Sequence, residues 1–499
     1  MSERPLFPPI CIALGFPTVD KLIQHARQEV LSGESFFEFR LDHLPDPRQG
    51  VSAIRRFLAE NPECCVLATC RRHQNHGKFN GSIDEQIQIL NDAVDAGARA
   101  VDLEIESAES VAARLDALRG RVFLIVSYHN YEGTPALDAV LRRVTKASAD
   151  AYKIVTTARK PSDNYRVLSL AQSRIPLIVL AMGETGFPTR VLSAAMGGLY
   201  TYAAPNAAEG TASGQVSARQ LRHGFRFEKF TRAAKIYGVI ADPVRHSISP
   251  AVHNRAFQVR RLDSVYLPFL VKPGQIRDFF TLAQELPIAG FSVTIPHKQK
   301  VMRCLDIIDP LARRIGAVNT VWKKAGKWRG TNTDAMAVIR PLSKKLRLPK
   351  SSVLLAGNGG AARSAAYALT EAGAKLSITG RNADRVRALA KACGAEAVFV
   401  SQLAGKQFDA VVHATPLGMF PNVTECFFPD RIPAGVVFDM VYNPLETELL
   451  RRARTQQLET ISGLEMFLEQ AAQQFEIWTG ESPPRPAMEK AALEALGQA

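Results

Sequence analysis

Hydrophobic and polar positions along roughly the first 230 residues repeat one pattern, a short apolar run followed by an amphipathic stretch. The apolar runs are I-C-I-A-L from Ile10, F-F-E-F-R-L from Phe36, C-V-L-A-T-C from Cys65 and A-V-D-L-E from Ala100. They continue with V-F-L-I-V-S-Y from Val122, A-Y-K-I-V-T from Ala151, P-L-I-V-L-A-M from Pro176 and L-Y-T-Y-A from Leu199. Between them, segments such as I-D-E-Q-I-Q-I-L-N-D-A-V and A-L-D-A-V-L-R-R-V space their apolar residues as helices do. Eight strands alternating with helices predict an α/β fold of the (β/α)8 TIM-barrel type. Near-continuous apolar, β-branched runs suit parallel strands covered on both faces.

After a short basic joint near residue 231 the pattern changes. I-Y-G-V-I-A, S-V-Y-L-P-F-L-V and G-F-S-V-T-I read as strands, and S-V-L-L-A and K-L-S-I-T follow as a second set. A chain of 499 residues is too long for one core. The expected division is a barrel over residues 1–228, a second domain over 233–340 and a third over 341–499, its C-terminal helices packing back on the second. Hydrophobic content of 46% and charged content of 22% are ordinary for a soluble globular protein. The formal charge of +14 comes from no run of Lys or Arg, and anionic small substrates explain it as well as nucleic acid does. No nucleic-acid or membrane partner is expected. The start M-S-E-R-P lacks a targeting pattern, and the longest uncharged run, residues 191–208, is interrupted by Ser, Gly and Pro. Seven cysteines without a C-x-x-C predict reduced thiols in the cytoplasm and no metal site.

A barrel carries its chemistry at the C-terminal ends of its strands. Polar residues gather there: Glu38 and Arg40, Arg71, His129, Lys153, Arg190, and T-A-S-G-Q over residues 211–215. Lys153 lies within an otherwise apolar strand, so it must snorkel, pair or lose its charge. One reading is an ion pair with Glu38 or Glu104. The other is a neutral amine able to form a Schiff base with a ketone. His129 follows S-Y and precedes N-Y-E-G-T-P, a position suited to acid–base work.

F-E-F-R-L-D, T-C-R, S-Y-H-N-Y-E-G-T-P, A-Y-K-I and A-S-G-Q together resemble a type I 3-dehydroquinate dehydratase over about the first 228 residues. The resemblance implies a Schiff base between Lys153 and the C3 ketone of 3-dehydroquinate, with His129 taking the adjacent proton and assisting loss of the hydroxyl. It places Glu38, Arg40, Arg71, Arg190, Thr211 and Gln215 on the substrate's carboxylate and hydroxyls. One departure stands out. The family reads E-G-G after its arginine, and here Asn75 falls where that Glu is expected. Asn cannot stabilise an imidazolium by charge, so a slow dehydratase is expected unless His73, Asp84 or Glu85 takes over.

In the second half, residues 290–334 bring Lys298 on a post-strand turn together with Asn319, Asn332, Thr333 and Asp334. Lys plus Asp among small polar donors suits a polyol exchanging a proton; a surface ion pair is the plainer alternative. Ser247 and Ser249 precede a helix they can cap, with Pro250 in its first turn. Farther on, Gly357, Gly359 and Ala362 fill G-x-G-x-x-G/A between a strand and a helix, with Gly360 and Ala361 inside the turn. At the end of the next strand, where an acidic residue binds a ribose hydroxyl, stand Gly380, Arg381 and Asn382, with Arg385 one turn on. Two guanidiniums and no carboxylate favour a 2′-phosphate, hence NADP over NAD.

H-S-I-S-P, V-T-I-P-H-K, A-V-N-T, T-N-T-D, G-N-G-G-A-A, D-M-V-Y-N-P and G-L-E-M-F-L-E-Q-A resemble shikimate dehydrogenase over roughly residues 233–499. The resemblance implies a two-domain unit, a substrate-binding domain and a C-terminal Rossmann-like NADP-binding domain. Lys298 and Asp334 would act on the substrate's C4 hydroxyl, Ser247, Ser249, Thr294, Asn319, Tyr442 and Gln470 would touch the substrate, and Thr415 would lie by the cofactor. Asn358 and His413 depart from the common pattern, at positions where Ala and Asn are usual. The combined expectation is a bifunctional enzyme of the shikimate pathway, serving aromatic amino acid biosynthesis with NADPH. A quinate-type dehydrogenase and a non-catalytic metabolite sensor are the alternatives.

Overall fold

The computed structural model describes residues 7–206, 208, 210–212, 214–245 and 247–497. Internal contacts divide the chain into two units. One runs to Ile236 and takes in Asp263–Pro287; the other comprises Tyr237–Leu262 and the residues from Ile288 onward.

The first unit is built on β1 (Ile10–Leu14), β2 (Phe36–Arg40), β3 (Cys65–Thr69), β4 (Ala100–Glu104), β5 (Phe123–His129), β6 (Ala151–Thr157), β7 (Leu177–Met182) and β8 (Thr201–Ala203). The strands pair in parallel in the order β7-β6-β5-β4-β3-β2-β1-β8. The seam between β7 and β8 is bridged by Leu199 N donating to Leu177 O at 2.9 Å, so the barrel is nearly closed. Every residue of β1 to β4, β7 and β8 is buried, as two-sided cover requires. The last strand starts at Thr201, two residues later than its apolar run. Gly197 (φ +109°) turns the chain just before it, and a Cβ there would lie 2.5 Å from Ala171 O.

β9 (Lys235–Ala241) carries the chain onward, and Asp263–Pro287 returns to the barrel with β10 (Ser264–Leu270) and the helix Ile276–Glu285. Asp278 fastens this segment by accepting from the Ser162 amide and hydroxyl, both at 2.7 Å, with Lys160 3.5 Å away. Residues 263–287 fall within the range 233–340 expected for the second domain.

The second unit holds β11 (Ile288–Val293), β12 (Ile307–Ile308), β13 (Thr320–Lys324) and β14 (Lys327–Thr331), which within it run β9-β11-β13-β14-β12. Its other sheet, β15 (Ser352–Ala356), β16 (Lys375–Thr379), β17 (Glu396–Ala397), β18 (Phe408–His413), β19 (Ala434–Asp439) and β20 (Glu459–Ile461), is wholly parallel. Its order, β17-β16-β15-β18-β19-β20, is that of a Rossmann fold, with the strand order reversing between β15 and β18. The helix Gly463–Thr479 starts in a capping box of Ser462 and Glu465. It reaches back to the first sheet, where Trp478 Nε1 donates to Val321 O (3.1 Å) and Tyr237 OH donates to Trp478 O (3.2 Å). The cap expected from the serines is absent: the helix Ser249–Val259 begins at Ser249 itself, and Ile248 takes the cap position. Ser247 Oγ accepts instead from the Ser249 amide (3.3 Å), a local turn that leaves the Ser249 hydroxyl out of capping. No helix among the described residues is long and apolar enough to cross a membrane.

Candidate active sites

In the barrel, Lys153 lies mid-β6 and is 3% exposed. Its ammonium pairs with Asp102 Oδ2, lies 3.6 Å from Glu38 Oε1, donates to Tyr202 OH at 3.1 Å and sits 4.6 Å over the Tyr202 ring centre. Of the two partners expected, Glu38 is near and Glu104 is not. Glu104 accepts instead from Arg72 N (2.7 Å) and Gln86 Nε2 (2.6 Å). Asp102 was missed, although a carboxylate inside the buried run A-V-D-L-E carries the same signal as the lysine. Burial pushes the Asp102 carboxyl up, but Lys153 and Arg71 outweigh it and hold it below its ordinary range. Ser127 Oγ donates to its other oxygen at 2.6 Å.

Arg71 and Arg40 adjoin this core. Arg71 is buried with Nη2 3.6 Å from Asp102, and its Nε and Nη2 have no hydrogen-bond partner among the described residues. Buried donors left open are what a carboxylate or hydroxyl ligand satisfies. Arg190 is also buried, and burial pushes its guanidinium down to about 10. Arg40 is already engaged, held in a fork by Asp42 at 2.9 and 2.8 Å. Gln215 Oε1 accepts from Ala212 N (3.1 Å). The Thr211 methyl comes so close to Gly15 that a Cβ on that glycine would be 2.9 Å from it.

His129 is the last residue of β5. Burial lowers its pKa well below the usual 6.5, and Arg71, Lys153, Arg40 and His76 push it the same way. The Asn75 amide is turned to Glu106, donating at 2.8 Å. Neither acidic residue proposed as a substitute serves the imidazole: Asp84 pairs with Arg114 (2.6 Å), and Glu85 completes the cap of its own helix with Ser82. His76 instead packs its ring, tilted by 43°, against Tyr131 (4.0 Å between centres), whose ring lies 6.2 Å from that of His129.

In the second unit Lys298 Nζ donates to Asp334 Oδ2 at 2.6 Å, and Asn319 Nδ2 donates to Asp334 Oδ1 at 2.7 Å. Asn319 is fixed in turn by Thr320 Oγ1 and the Thr333 amide on its carbonyl, at 2.7 and 2.8 Å. Asn332 caps the helix Thr333–Ser343 by accepting from the Asp334 amide (3.1 Å), which is how the T-N-T-D turn aims its carboxylate. Gln474, missed in the sequence, donates to Thr320 Oγ1 (3.1 Å) and accepts from Ser292 Oγ (2.8 Å). Gln470, one turn earlier, donates to Phe467 O of its own helix (2.9 Å). Thr294 closes β11 with its amide on Ile240 O (3.2 Å), and Tyr442 packs on Phe467.

The glycine turn sits at the strand-order reversal. Gly357 has φ +134°, and a Cβ there would meet Ala414 O at 2.6 Å, so only glycine fits. Cβ atoms at Gly359 and Gly360 would meet nothing within 4 Å, leaving open space before the helix Gly360–Glu371. Asn358 lies by Gly380, its Nδ2 3.2 Å from a Cβ built there. Asn382 caps the helix Ala383–Cys393 by accepting from Arg385 N (3.0 Å). Arg381 and Arg385 are exposed, and neither forms a salt bridge among the described residues. His413 joins Asp439 at 2.8 Å through Nδ1 and Thr415 through Nε2, so the departure from Asn is absorbed in a buried chain.

The profile of type I 3-dehydroquinase matches residues 10–231, that of the shikimate dehydrogenase substrate binding domain matches 239–321, and that of the shikimate 5'-dehydrogenase C-terminal domain matches 463–493. The bifunctional 3-dehydroquinate dehydratase/shikimate dehydrogenase, chloroplastic, of Arabidopsis thaliana is 34% identical over 95% of this chain and 83% of its own length. This chain belongs to the bifunctional 3-dehydroquinate dehydratase/shikimate dehydrogenase family. The shikimate dehydrogenase (NADP(+)) of Oleidesulfovibrio alaskensis is 39% identical over 50% of this chain and 91% of its own. A shikimate dehydrogenase solved in complex with NADP+ superimposes with a TM-score of 0.50 at 35% identity, covering 54% of this chain and 97% of its own.

Proposed function

We infer that this bifunctional dehydratase/dehydrogenase converts 3-dehydroquinate to 3-dehydroshikimate in its barrel, residues 1–228, and reduces that product to shikimate with NADPH in residues 233–340 and 341–499. The reading is carried by Lys153, a buried amine inside a strand with two carboxylates beside it and the open donors of Arg71 next to one of them. Lys153 attacks the C3 ketone to form an imine, with Asp102 and Glu38 orienting the nitrogen. Arg71, Arg190, Gln215 and Thr211 hold the carboxylate and hydroxyls, with Arg40 keeping Asp42 in place. The iminium acidifies the neighbouring carbon, and neutral His129 removes that proton and returns one to the departing hydroxyl. Protein alone should turn 3-dehydroquinate into an ultraviolet-absorbing enone without NADPH; no enone would refute this half.

In the second unit NADPH, when bound, supplies the hydride. Lys298 gives a proton to the oxygen being reduced, and Asp334 positions the lysine and the adjacent hydroxyl. Ser247, Ser249, Thr294, Asn319, Tyr442 and Gln470 surround the ring and its carboxylate. The open turn at Gly359, Gly360 and Ala361 receives the pyrophosphate at a helix N-terminus, and Thr415 flanks the same crevice. Arg381 and Arg385 take the 2′-phosphate, with Asn382 shaping the turn. Arg381→Asp should lower kcat/KM for NADPH about tenfold to a hundredfold, the scale of a charge-assisted hydrogen bond, and raise it for NADH. Unchanged constants for both cofactors would place the phosphate elsewhere. A cytoplasmic setting suits the thiols: burial raises the pKa of Cys11, Cys65 and Cys70, and none is in a disulfide.

A base depressed by burial and by Arg71, Lys153 and Arg40 stays neutral to lower pH, so the acidic limb of the dehydratase profile should lie below the ordinary histidine value. Asn75→Glu adds an anion at the position where the family resemblance implies a carboxylate beside the histidine, which should raise the His129 pKa. That limb should then move to higher pH, with kcat/KM maintained or raised on the alkaline side. A uniform loss at every pH would mean that the bond from Asn75 to Glu106 is what the loop requires.

A further inference from the structure

Forming an imine needs more proton traffic than the reading above has assigned. An ammonium and a ketone become an iminium and water, so two of the three ammonium hydrogens must travel from nitrogen to oxygen. Lys153 faces three groups, Asp102, Glu38 and Tyr202. The two carboxylates have no hydrogen to give until one of them is protonated, whereas the phenol offers a hydrogen to give and a lone pair to receive one from the start.

We propose that Tyr202 is a catalytic residue that relays protons between Lys153 Nζ and the substrate's ketone oxygen as the imine forms and as the product imine is hydrolysed. The proposal rests on the Schiff-base reading of Lys153. Its geometry is a hydroxyl 3.1 Å from the reacting nitrogen, on a ring that also holds that nitrogen 4.6 Å from its centre. Tyr202 is buried in β8, and Tyr200 OH lies 3.4 Å from its oxygen as a further acceptor or donor.

The steps balance as follows. The ammonium gives one proton to the Asp102 or Glu38 carboxylate. The amine lone pair forms the C–N bond, and the C=O π pair moves to oxygen. Tyr202 then takes a proton from the positive nitrogen while giving its own to the alkoxide, so the phenol ends unchanged and the carbinolamine is neutral. The carboxylic acid returns its proton to the hydroxyl, water leaves, and the nitrogen lone pair closes the C=N bond. Burial pushes the Tyr202 hydroxyl well above 10, with Glu38 adding to it, so a free phenolate does not accumulate and both transfers go together.

The test is exchange of oxygen-18 from labelled water into the ketone of 3-dehydroshikimate, catalysed by the full-length chain. This exchange reports imine formation and hydrolysis without the elimination step. Tyr202→Phe keeps the ring over Lys153 and removes only the hydroxyl. Exchange should fall about a hundredfold, the lower end of acid–base contributions, while borohydride with substrate still traps Lys153 on long incubation. Exchange at the parent's rate overturns the proposal. A parent that neither exchanges nor traps removes the Schiff base itself, which is a different failure. Should the variant not fold, the parent decides: exchange measured across mixtures of light and heavy water should fall along a bowed curve, because two protons move together, and a straight line would overturn the relay.

Discussion

Lys153→Arg keeps a cation beside Asp102 and Glu38 and abolishes dehydration of 3-dehydroquinate. The loss expected on removing a covalent nucleophile is on the order of a million-fold, so turnover should drop below detection. Borohydride with 3-dehydroquinate should add the reduced substrate to Lys153 in the parent and nothing to the variant, as peptide mass spectrometry reads. Arginine is chosen over alanine because Lys153→Ala strands a buried carboxylate next to Arg71, 3.6 Å away. Breaking a buried pair costs about 3–5 kcal/mol, and a folding defect would then mimic a chemical one. Reduction of 3-dehydroshikimate should continue at the parental rate, since its residues lie in the other unit. A mass spectrum without an adduct in the parent would end the Schiff-base account and leave the fold untouched.

Lys298→Met inverts that pattern. It removes the ammonium that Asp334 and its bonds to Asn319 hold in place. The kcat for reducing 3-dehydroshikimate should fall about 10²–10⁴-fold, the range for a positioned acid. Asp334→Asn should cost less but show in KM as well. Its amide leaves Lys298 without an anion and forces a choice of which oxygen or nitrogen faces Asn319 Nδ2. NADPH binding, followed by quenching or shifting of its fluorescence, should be unchanged in both, because the glycine turn and Arg381 are intact. A variant that still reduces substrate at the parental rate would make Lys298–Asp334 a structural ion pair, the plainer alternative at this site.

The eight barrel strands could be read from the sequence because each is covered on both faces, so its residues are apolar in an unbroken run regardless of what packs on it. The last strand could not be bounded that way: Leu199 extends the apolar run, but the turn at Gly197 and the bond from Leu199 to Leu177 belong to the seam. Candidate site residues were visible where a charge interrupts such a run, as Lys153 does. Asp102 gave the same signal, but nothing local tells which of Glu38, Asp102 and Glu104 will face the lysine. That depends on strand register, with Asp102 paired to Ile125 and Lys153 to Ser127 across β4, β5 and β6. The serine cap failed for a similar reason. Ser247, Ser249 and Pro250 permit several helix starts, and the one adopted leaves the first hydroxyl in a turn. Tyr202 carried no signal at all, because an aromatic in a barrel strand is ordinary core until its neighbour is known to be an amine.

The most direct measurement of the central claim is a one-pot assay of the purified chain given only 3-dehydroquinate and NADPH. The account predicts oxidation of one NADPH for each 3-dehydroquinate consumed, shikimate as the end product, and no requirement for a second enzyme. Lys153→Arg and Lys298→Met should each stop the sequence alone, and mixing the two variants should restore it through released 3-dehydroshikimate. NADPH left unoxidised with 3-dehydroquinate, while added 3-dehydroshikimate is reduced, would contradict the barrel's role and leave a shikimate dehydrogenase joined to an inactive partner.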